Sequence, residues 1–377
     1  MSNKRQTFYV PGLDIVRCLG FFAVFTIHAF RARFVDYQAI PAPFAGLIIA
    51  VLDTGKYSID MFFVSSAYLI TELLLREHEA TGVVDAKAFY VRRMLRIFPL
   101  YYGFIILAVF IYPLFLADAA ISRRHSLGLL TFSFNWVVSI WGYPRRSFLN
   151  HLWSVSVEEQ FYLAYPFIVR LFGIKNLKAV AVVFLCIATI SRLVMIKTDF
   201  FVSAEQAMWV STLTRLDPLA AGILLAIYIR EKKIGLLTGA LNKLLVILLS
   251  ITALVICSTY LSLEANIYYA LLIYPLATFT CVLIIWAALS QNAEFSKFAP
   301  LIYLGKISYG LYVFHLAGLQ IARSLLGSTL KNNSSAISCA LLGFALTLIF
   351  ATVSYHWLEK PFLKLKKKFT YVPSRPV

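Results

Sequence analysis

The stretch LDIVRCLGFFAVFTIHAF (Leu13–Phe30) is long enough to cross a bilayer as a helix, since about 20 residues rising ~1.5 Å each span the hydrocarbon. It nevertheless carries Arg17 and His28. An ionisable side chain at that depth costs roughly 3 kcal/mol on insertion scales, so it rarely persists without a role. Eleven positions make about three helical turns, which puts both side chains on one face, ~16 Å apart along the axis. A cation near one membrane surface and an imidazole towards the other point to a site that works across the bilayer.

The rest of the chain shares this character. Its 377 residues are 60% hydrophobic and 14% charged, against about a quarter charged in a soluble domain. Apolar runs of helical length recur, without the ten-residue alternation of a membrane barrel, so the fold class is all-α and polytopic. The net charge of +17 invites a nucleic-acid partner, but the basic residues gather in short segments between apolar runs. That is the positive-inside pattern, and no nucleic acid is expected. Lys4 and Arg5 before the first run resemble a signal peptide; a run that keeps Arg17 and His28 and is followed by more spans reads as a retained helix. The five cysteines (Cys18, Cys186, Cys257, Cys281, Cys339) lack metal-ligand spacing, and no metal is expected.

About ten spans fit, near 13–33, 57–75, 94–116, 156–173, 178–197, 209–229, 242–262, 268–289, 303–325 and 336–358. With the N-terminus inside, the cytoplasmic segments hold Arg76, Lys87, Arg92 and Arg93, then Arg170, Lys175 and Lys178, then Arg230, Lys232, Lys233 and Lys243. Both termini are then cytoplasmic, in the cell (inner) membrane, with lipid as the surrounding partner. The external loop 117–150 breaks the rule with Arg123, Arg124, Arg145 and Arg146. Within it, Leu127–Trp141 reads as a re-entrant or interfacial helix. Residues 1–362 form the membrane domain and 363–377 a basic cytoplasmic tail.

This topology assigns depths to the polar residues. His28, Asp60, Glu158, Arg215, Asp217 and His315 fall in the outer half, with Glu159 and Trp153 beside them. At the inner side, FYVRRMLRIFP supplies Arg92, Arg93 and Arg96; Arg93 and Arg96 share a helix face, and Arg17 lies at similar depth. Two guanidinium forks with a third nearby suit a polyphosphate. Plainer readings stand beside these. The arginine cluster can be a topology anchor, and His28 or His315 an interhelical hydrogen-bonder. Glu158 and Glu159 can be an acidic helix start, and Arg215 and Asp217 can pair with one another or a neighbour.

Taken together, the segments resemble the acyltransferase family 3 of integral membrane O-acyltransferases. Arg17 and His28 match its Arg-x10-His signature. YSIDMFFVSSAYLIT (Tyr57–Thr71) is similar to its Phe-Phe-x-x-Ser-Gly-Phe-Leu segment, with Ala67 and Tyr68 in place of Gly-Phe. FYVRRMLRIFPLYY (Phe89–Tyr102) resembles the Arg-x-x-Arg segment. LWSVSVEEQFYLAYP (Leu152–Pro166) resembles Trp-Ser-Leu-x-x-Glu-Glu-x-Phe-Tyr, with Val155 for leucine. TRLDPLAAG (Thr214–Gly222), ISYGLYVFH (Ile307–His315) and SYHWLEKPF (Ser354–Phe362) resemble three further segments. Longer relatives carry an extracytoplasmic esterase-like domain, and the sequence reads as the acyltransferase domain alone.

The resemblance implies transfer of an acyl group, commonly acetyl, from cytoplasmic acyl-CoA to a hydroxyl of a glycan or lipid-linked saccharide. His28 is then the general base or a transient acyl carrier, with Glu158 orienting it or holding acceptor hydroxyls, and Arg17 assisting. Arg92, Arg93, Arg96 and Ser66 are expected at the donor; Asp60, Glu159, Arg215, Asp217, His315 and Trp153 at the acceptor. A proton-coupled transporter using His28, Glu158 and Asp217 is the second reading, and a non-catalytic scaffold the third.

Overall fold

The computed structural model describes residues 8–30, 41–115, 121–144, 148–233, 239–260, 267–289, 298–327 and 333–372. Lys4, Arg5, Arg145 and Arg146 lie outside the described residues, as do 373–377 of the basic tail. Among the described residues every regular element is helical.

Helix α1 (Pro11–Phe30) opens on a proline, whose missing N–H costs nothing in a first turn. α2 (Ala42–Gly55) and α3 (Ile59–Thr81) are joined by a single 3-10 turn, so Phe44–Thr81 forms a helical run of 38 residues. The sequence reading starts this span at Tyr57; the run begins earlier because 44–55 is apolar and its prolines sit only at the helix start. Gly82, at φ 75°, ends α3 with its N–H on the His78 carbonyl. Asp85 then caps α4 (Ala86–Ile106), accepting from the Ala88 N–H at 2.9 Å.

Leu127–Trp141 is two short helices rather than one. α5 (Arg123–Leu130) and α6 (Phe134–Trp141) are broken around Phe132, at φ 52°. Eight residues rise only about 12 Å, so neither crosses a bilayer. α6 is held by side-chain amides: Gln160 donates to the Phe132 carbonyl at 2.7 Å and to Asn135 at 2.9 Å, and Asn135 donates to Thr212.

The chain continues through α7 (Trp153–Phe172), α8 (Leu177–Ile196), α9 (Ala204–Val210), α10 (Leu216–Arg230), α11 (Ala240–Tyr260) and α12 (Tyr274–Leu289). It ends in α13 (Ala299–Lys306), α14 (Ser308–Leu326), α15 (Asn333–Ser354) and α16 (Lys360–Lys366), which follows a π-helical turn, Tyr355–Glu359. Residue 363, the expected start of the tail, thus falls inside α16.

Among the described residues, six helical runs are long and apolar enough to cross a membrane, and a seventh if α9 and α10, bent by 59°, form one span. Ten are expected from sequence. α11 contributes the shorter apolar stretch Leu241–Cys257 among the described residues. α7 holds Glu158, Glu159 and Arg170, and α14 holds His315, Gln320 and Arg323, which lowers their hydropathy. Leu163, Phe167 and Leu171 of α7 are exposed while Tyr162, Tyr165 and Val169 are buried. An apolar exterior over a partly polar interior is the pattern lipid imposes.

Two glycines set the helix contacts that position the site. A Cβ on Gly222 would lie 2.4 Å from the Val64 carbonyl and 2.8 Å from the Ala67 Cβ, so α10 touches α3 backbone to backbone. The close approach at Ala67 is thus supplied from the facing helix. A Cβ on Gly305 would lie 2.0 Å from the Asp14 carbonyl, which presses α13 onto α1.

Candidate active site

Two cavities meet within the bundle. The first, about 200 Å³, is lined by five cations: Arg17 from α1, Arg93 and Arg96 from α4, Lys306 from α13 and Lys366 from α16. Asp14, Ser66 and Glu158 share its wall. The Arg93 guanidinium lies over the Tyr162 ring at 5.2 Å and the Phe89 ring at 5.5 Å, held against these faces. Tyr162 and Ser66 share a short hydroxyl–hydroxyl hydrogen bond. Asp14 stands 4.0 Å from Arg17 and accepts from the Tyr9 hydroxyl at 2.8 Å. Helix α1 places Arg17 here, and the Gly305 contact brings Lys306 beside it.

The second cavity, about 360 Å³, holds His28, Lys56, His151, Trp153 and Trp209. Ile59 and Tyr312 are common to both linings, so the two spaces adjoin at these side chains. The indoles of Trp153 and Trp209 meet at 5.7 Å. Arg323 of α14 donates to the His28 carbonyl at 2.7 Å and pins the end of α1.

The histidines form a chain whose tautomers follow from their partners. A carbonyl only accepts, so the nitrogen facing it carries the proton. His315 Nδ1 lies 2.5 Å from the Tyr312 carbonyl, which leaves His315 Nε2 as an acceptor. His28 Nδ1 faces the Val24 carbonyl at 2.9 Å and His315 Nε2 at 3.3 Å, so it too is the protonated nitrogen. His28 Nε2 therefore bears the lone pair.

Asp60, Arg215 and Asp217 sit elsewhere. Arg215 donates to Asp60 in a wholly buried pair, and Arg192 of α8 donates to Asp217 at 3.1 Å. The Arg215 guanidinium also faces the rings of Trp209 and Tyr274 at 4.9 and 5.2 Å. None of the four charged groups lines either cavity. Arg92 turns away as well, donating to Glu77 at 2.7 Å and to the Phe369 carbonyl at 2.9 Å. Glu159 is not in the lining of either cavity, and its Oε1 has no hydrogen-bond partner among the described residues. His315 stands behind His28 rather than in the cavity wall. Among the described residues no group of three or more His, Cys, Asp or Glu is arranged to hold a metal ion.

Residues 10–356 match the acyltransferase domain that defines this fold family. The chain belongs to the acyltransferase family 3. Two Staphylococcus aureus proteins are similar to it along nearly all its length. "Putative O-acetyltransferase SACOL0978" of strain COL is 28% identical over 99% of this chain and 61% of its own. "O-acetyltransferase OatA" of strain NCTC 8325 is 26% identical over 97% of this chain and 59% of its own. The chain thus spans about six tenths of the length of the curated relatives it matches. No solved structure matches it. Family membership supports acyl transfer and gives the transporter reading no support.

For a member of acyltransferase family 3, the cavities bring together residues that sequence reasoning separates. Lys306 and Lys366 look like ordinary loop cations in the sequence, and only their depth beside Arg17 distinguishes them. Arg192 is the one charge in α8 beyond Lys178 at its start, the same signal that singled out Arg17. His151 stands two residues before Trp153 and gives no sign of its burial.

Proposed function

We propose that the chain transfers an acetyl group from cytoplasmic acetyl-CoA to a hydroxyl of a glycan or lipid-linked saccharide on the opposite side of the membrane. The observation that carries this reading is the meeting of a five-cation cavity and the His28 cavity at Ile59 and Tyr312. The cations match the phosphates of CoA. The pantetheine arm then runs along α1 and brings the thioester past Tyr312 to His28. Trp153 and Trp209 offer faces on which a pyranose stacks. With Arg17, Arg93 and Lys366 at the cytoplasmic side, α7 and α14 also cross the bilayer, their polar residues turned to the cavities.

In the reaction His28 Nε2 takes the proton of the acceptor hydroxyl as its oxygen attacks the thioester carbonyl. The tetrahedral intermediate collapses, the C–S bond breaks, and the imidazolium returns the proton to the departing thiolate. His315 accepts the Nδ1–H throughout and holds the ring in the productive tautomer. Direct transfer is favoured over an acyl-His28 intermediate because the cation cavity adjoins, at Ile59 and Tyr312, the cavity that His28 lines. Glu158 shares the cation cavity and balances its charge.

The test is CoA release from acetyl-CoA by the purified full chain in nanodiscs, with a crude envelope glycan extract as acceptor. Release that needs the extract and is lost in His28→Ala, with acetyl-CoA binding retained, supports the reading. Full activity in His28→Ala overturns it.

A further inference from the structure

We infer that His151 is a second imidazole of the reaction centre, donating a hydrogen bond to the oxyanion formed from the thioester carbonyl while His28 takes the hydroxyl proton. This rests on the acetyl-transfer reading above. His151 is only 4% exposed, lines the same cavity as His28, and has no hydrogen-bond partner for either ring nitrogen among the described residues. The carbonyls of Phe148, Tyr312 and Val313 lie around the ring, yet none is placed to accept from it. A buried polar group left without a partner loses its hydration for nothing in return, so the site is incomplete until a ligand enters.

Its backbone, by contrast, is held. The His151 carbonyl accepts from the Tyr312 hydroxyl at 3.0 Å and from Ser154 Oγ at 3.1 Å. Its ring packs edge-on against His315 at 4.6 Å and against Tyr312 at 5.1 Å. A fixed backbone under an unsatisfied ring is what a preorganised donor requires. The position is also apt. Tyr312 borders both cavities, so a thioester passing it from the cation side reaches His151 and His28 together. The neighbouring Asn150 Oδ1 is buried and unpartnered too, among the described residues, and accepts from an acceptor hydroxyl beside the one that reacts.

The step balances. The acceptor O–H bond breaks and its proton goes to His28 Nε2. The C–O bond forms, and the carbonyl π pair moves onto the oxygen that His151 holds. When that pair returns, the C–S bond breaks and the thiolate takes the proton from His28. His151 keeps its own proton throughout.

The experiment uses the full chain in the envelopes of cells that naturally make it, deleted for its gene and complemented with wild type, His151→Phe, His151→Gln or His28→Ala. The readout is base-labile acetate in the envelope, with acetyl-CoA binding measured on the same purified variants. Loss of one oxyanion donor lowers turnover by about 10²- to 10³-fold. We expect that loss in His151→Phe, unchanged acetyl-CoA affinity, and partial recovery in His151→Gln, which still donates. Wild-type acetate levels in His151→Phe overturn the inference. So does equal loss in both His151 variants, or loss of acetyl-CoA binding, since each indicates a packing role. If wild type and deletion carry the same acetate, the transfer reading fails and this one with it, whereas a defect confined to His28→Ala spares the former.

Discussion

His28 Nδ1 lies 3.3 Å from His315 Nε2, with the Tyr312 carbonyl closing the relay behind His315. The pair makes His315 a positioning residue for His28. His315→Phe keeps the ring volume and removes the acceptor, so turnover is expected to fall about 10- to 100-fold, a part of what a general base contributes. Acetyl-CoA affinity should stay within twofold, because His315 does not line the cation cavity. Steady-state transfer and direct donor binding, measured side by side, decide it; weakened donor binding would place His315 in the donor site.

The five cations should be read by charge and by shape. Arg93→Ala and Lys366→Ala are each expected to raise the acetyl-CoA Kd about tenfold, close to 1.4 kcal/mol. Arg93→Lys should recover little, since an ammonium lacks the planar fork and stacks poorly on Tyr162. Arg92→Ala is the control. Its guanidinium is engaged by Glu77 and the Phe369 carbonyl, so affinity should fall by no more than the about two- to threefold expected from loosening the segment that carries Lys366. Isothermal titration at two salt concentrations distinguishes them, with the smaller salt dependence expected in Arg93→Ala.

The helical class, the Arg17–His28 axis and the Arg93–Arg96 face were legible because each depends only on local period and depth. What escaped was pairing across helices. Asp60 and Arg215 are 155 positions apart, and Asp217 is taken by Arg192 rather than by Arg215 two residues away. α7 and α14 fall outside a hydropathy count for a physical reason: the helices that carry Glu158, Glu159 and His315 are made more polar by those residues. Lys366 was hidden because a basic helix end after a span looks the same in a solvated tail as in a cavity wall.

The Asp60–Arg215 pair gives a prediction of its own. Removing one partner of a buried ion pair leaves an uncompensated charge and costs about 3–5 kcal/mol. Arg215→Leu is therefore expected to lower thermal stability sharply, while the double change Asp60→Leu, Arg215→Leu recovers much of it. Donor binding by the folded fraction should be unaltered. Had these groups been acceptor ligands, the single change would spare stability and lower acceptor use; a melting curve in detergent separates the outcomes.

Asp85 ties acidity to the donor site through the end of the chain. The Ala88 N–H, above all, holds its carboxyl below the usual range, and the Tyr371 hydroxyl, at 3.0 Å, adds to this. A carboxylate with a depressed folded pKa contributes stability above its unfolded value, near about 3.9, and loses that contribution as pH falls through the folded value. The start of α4 should thus be insensitive to pH between 7 and 5 (roughly one unit and more above that range) and loosen only below about 4. Asp85→Ala should loosen it at neutral pH, by about 1 kcal/mol for a lost cap, and Asp85→Asn much less. Because Tyr371 on Asp85 and the Phe369 carbonyl on Arg92 anchor the segment that carries Lys366, Asp85→Ala should also weaken acetyl-CoA binding, by about two- to threefold. Amide exchange at 86–89 together with donor titration checks both effects; a faster-exchanging α4 with undiminished donor affinity would show that Lys366 is held by α4 packing alone.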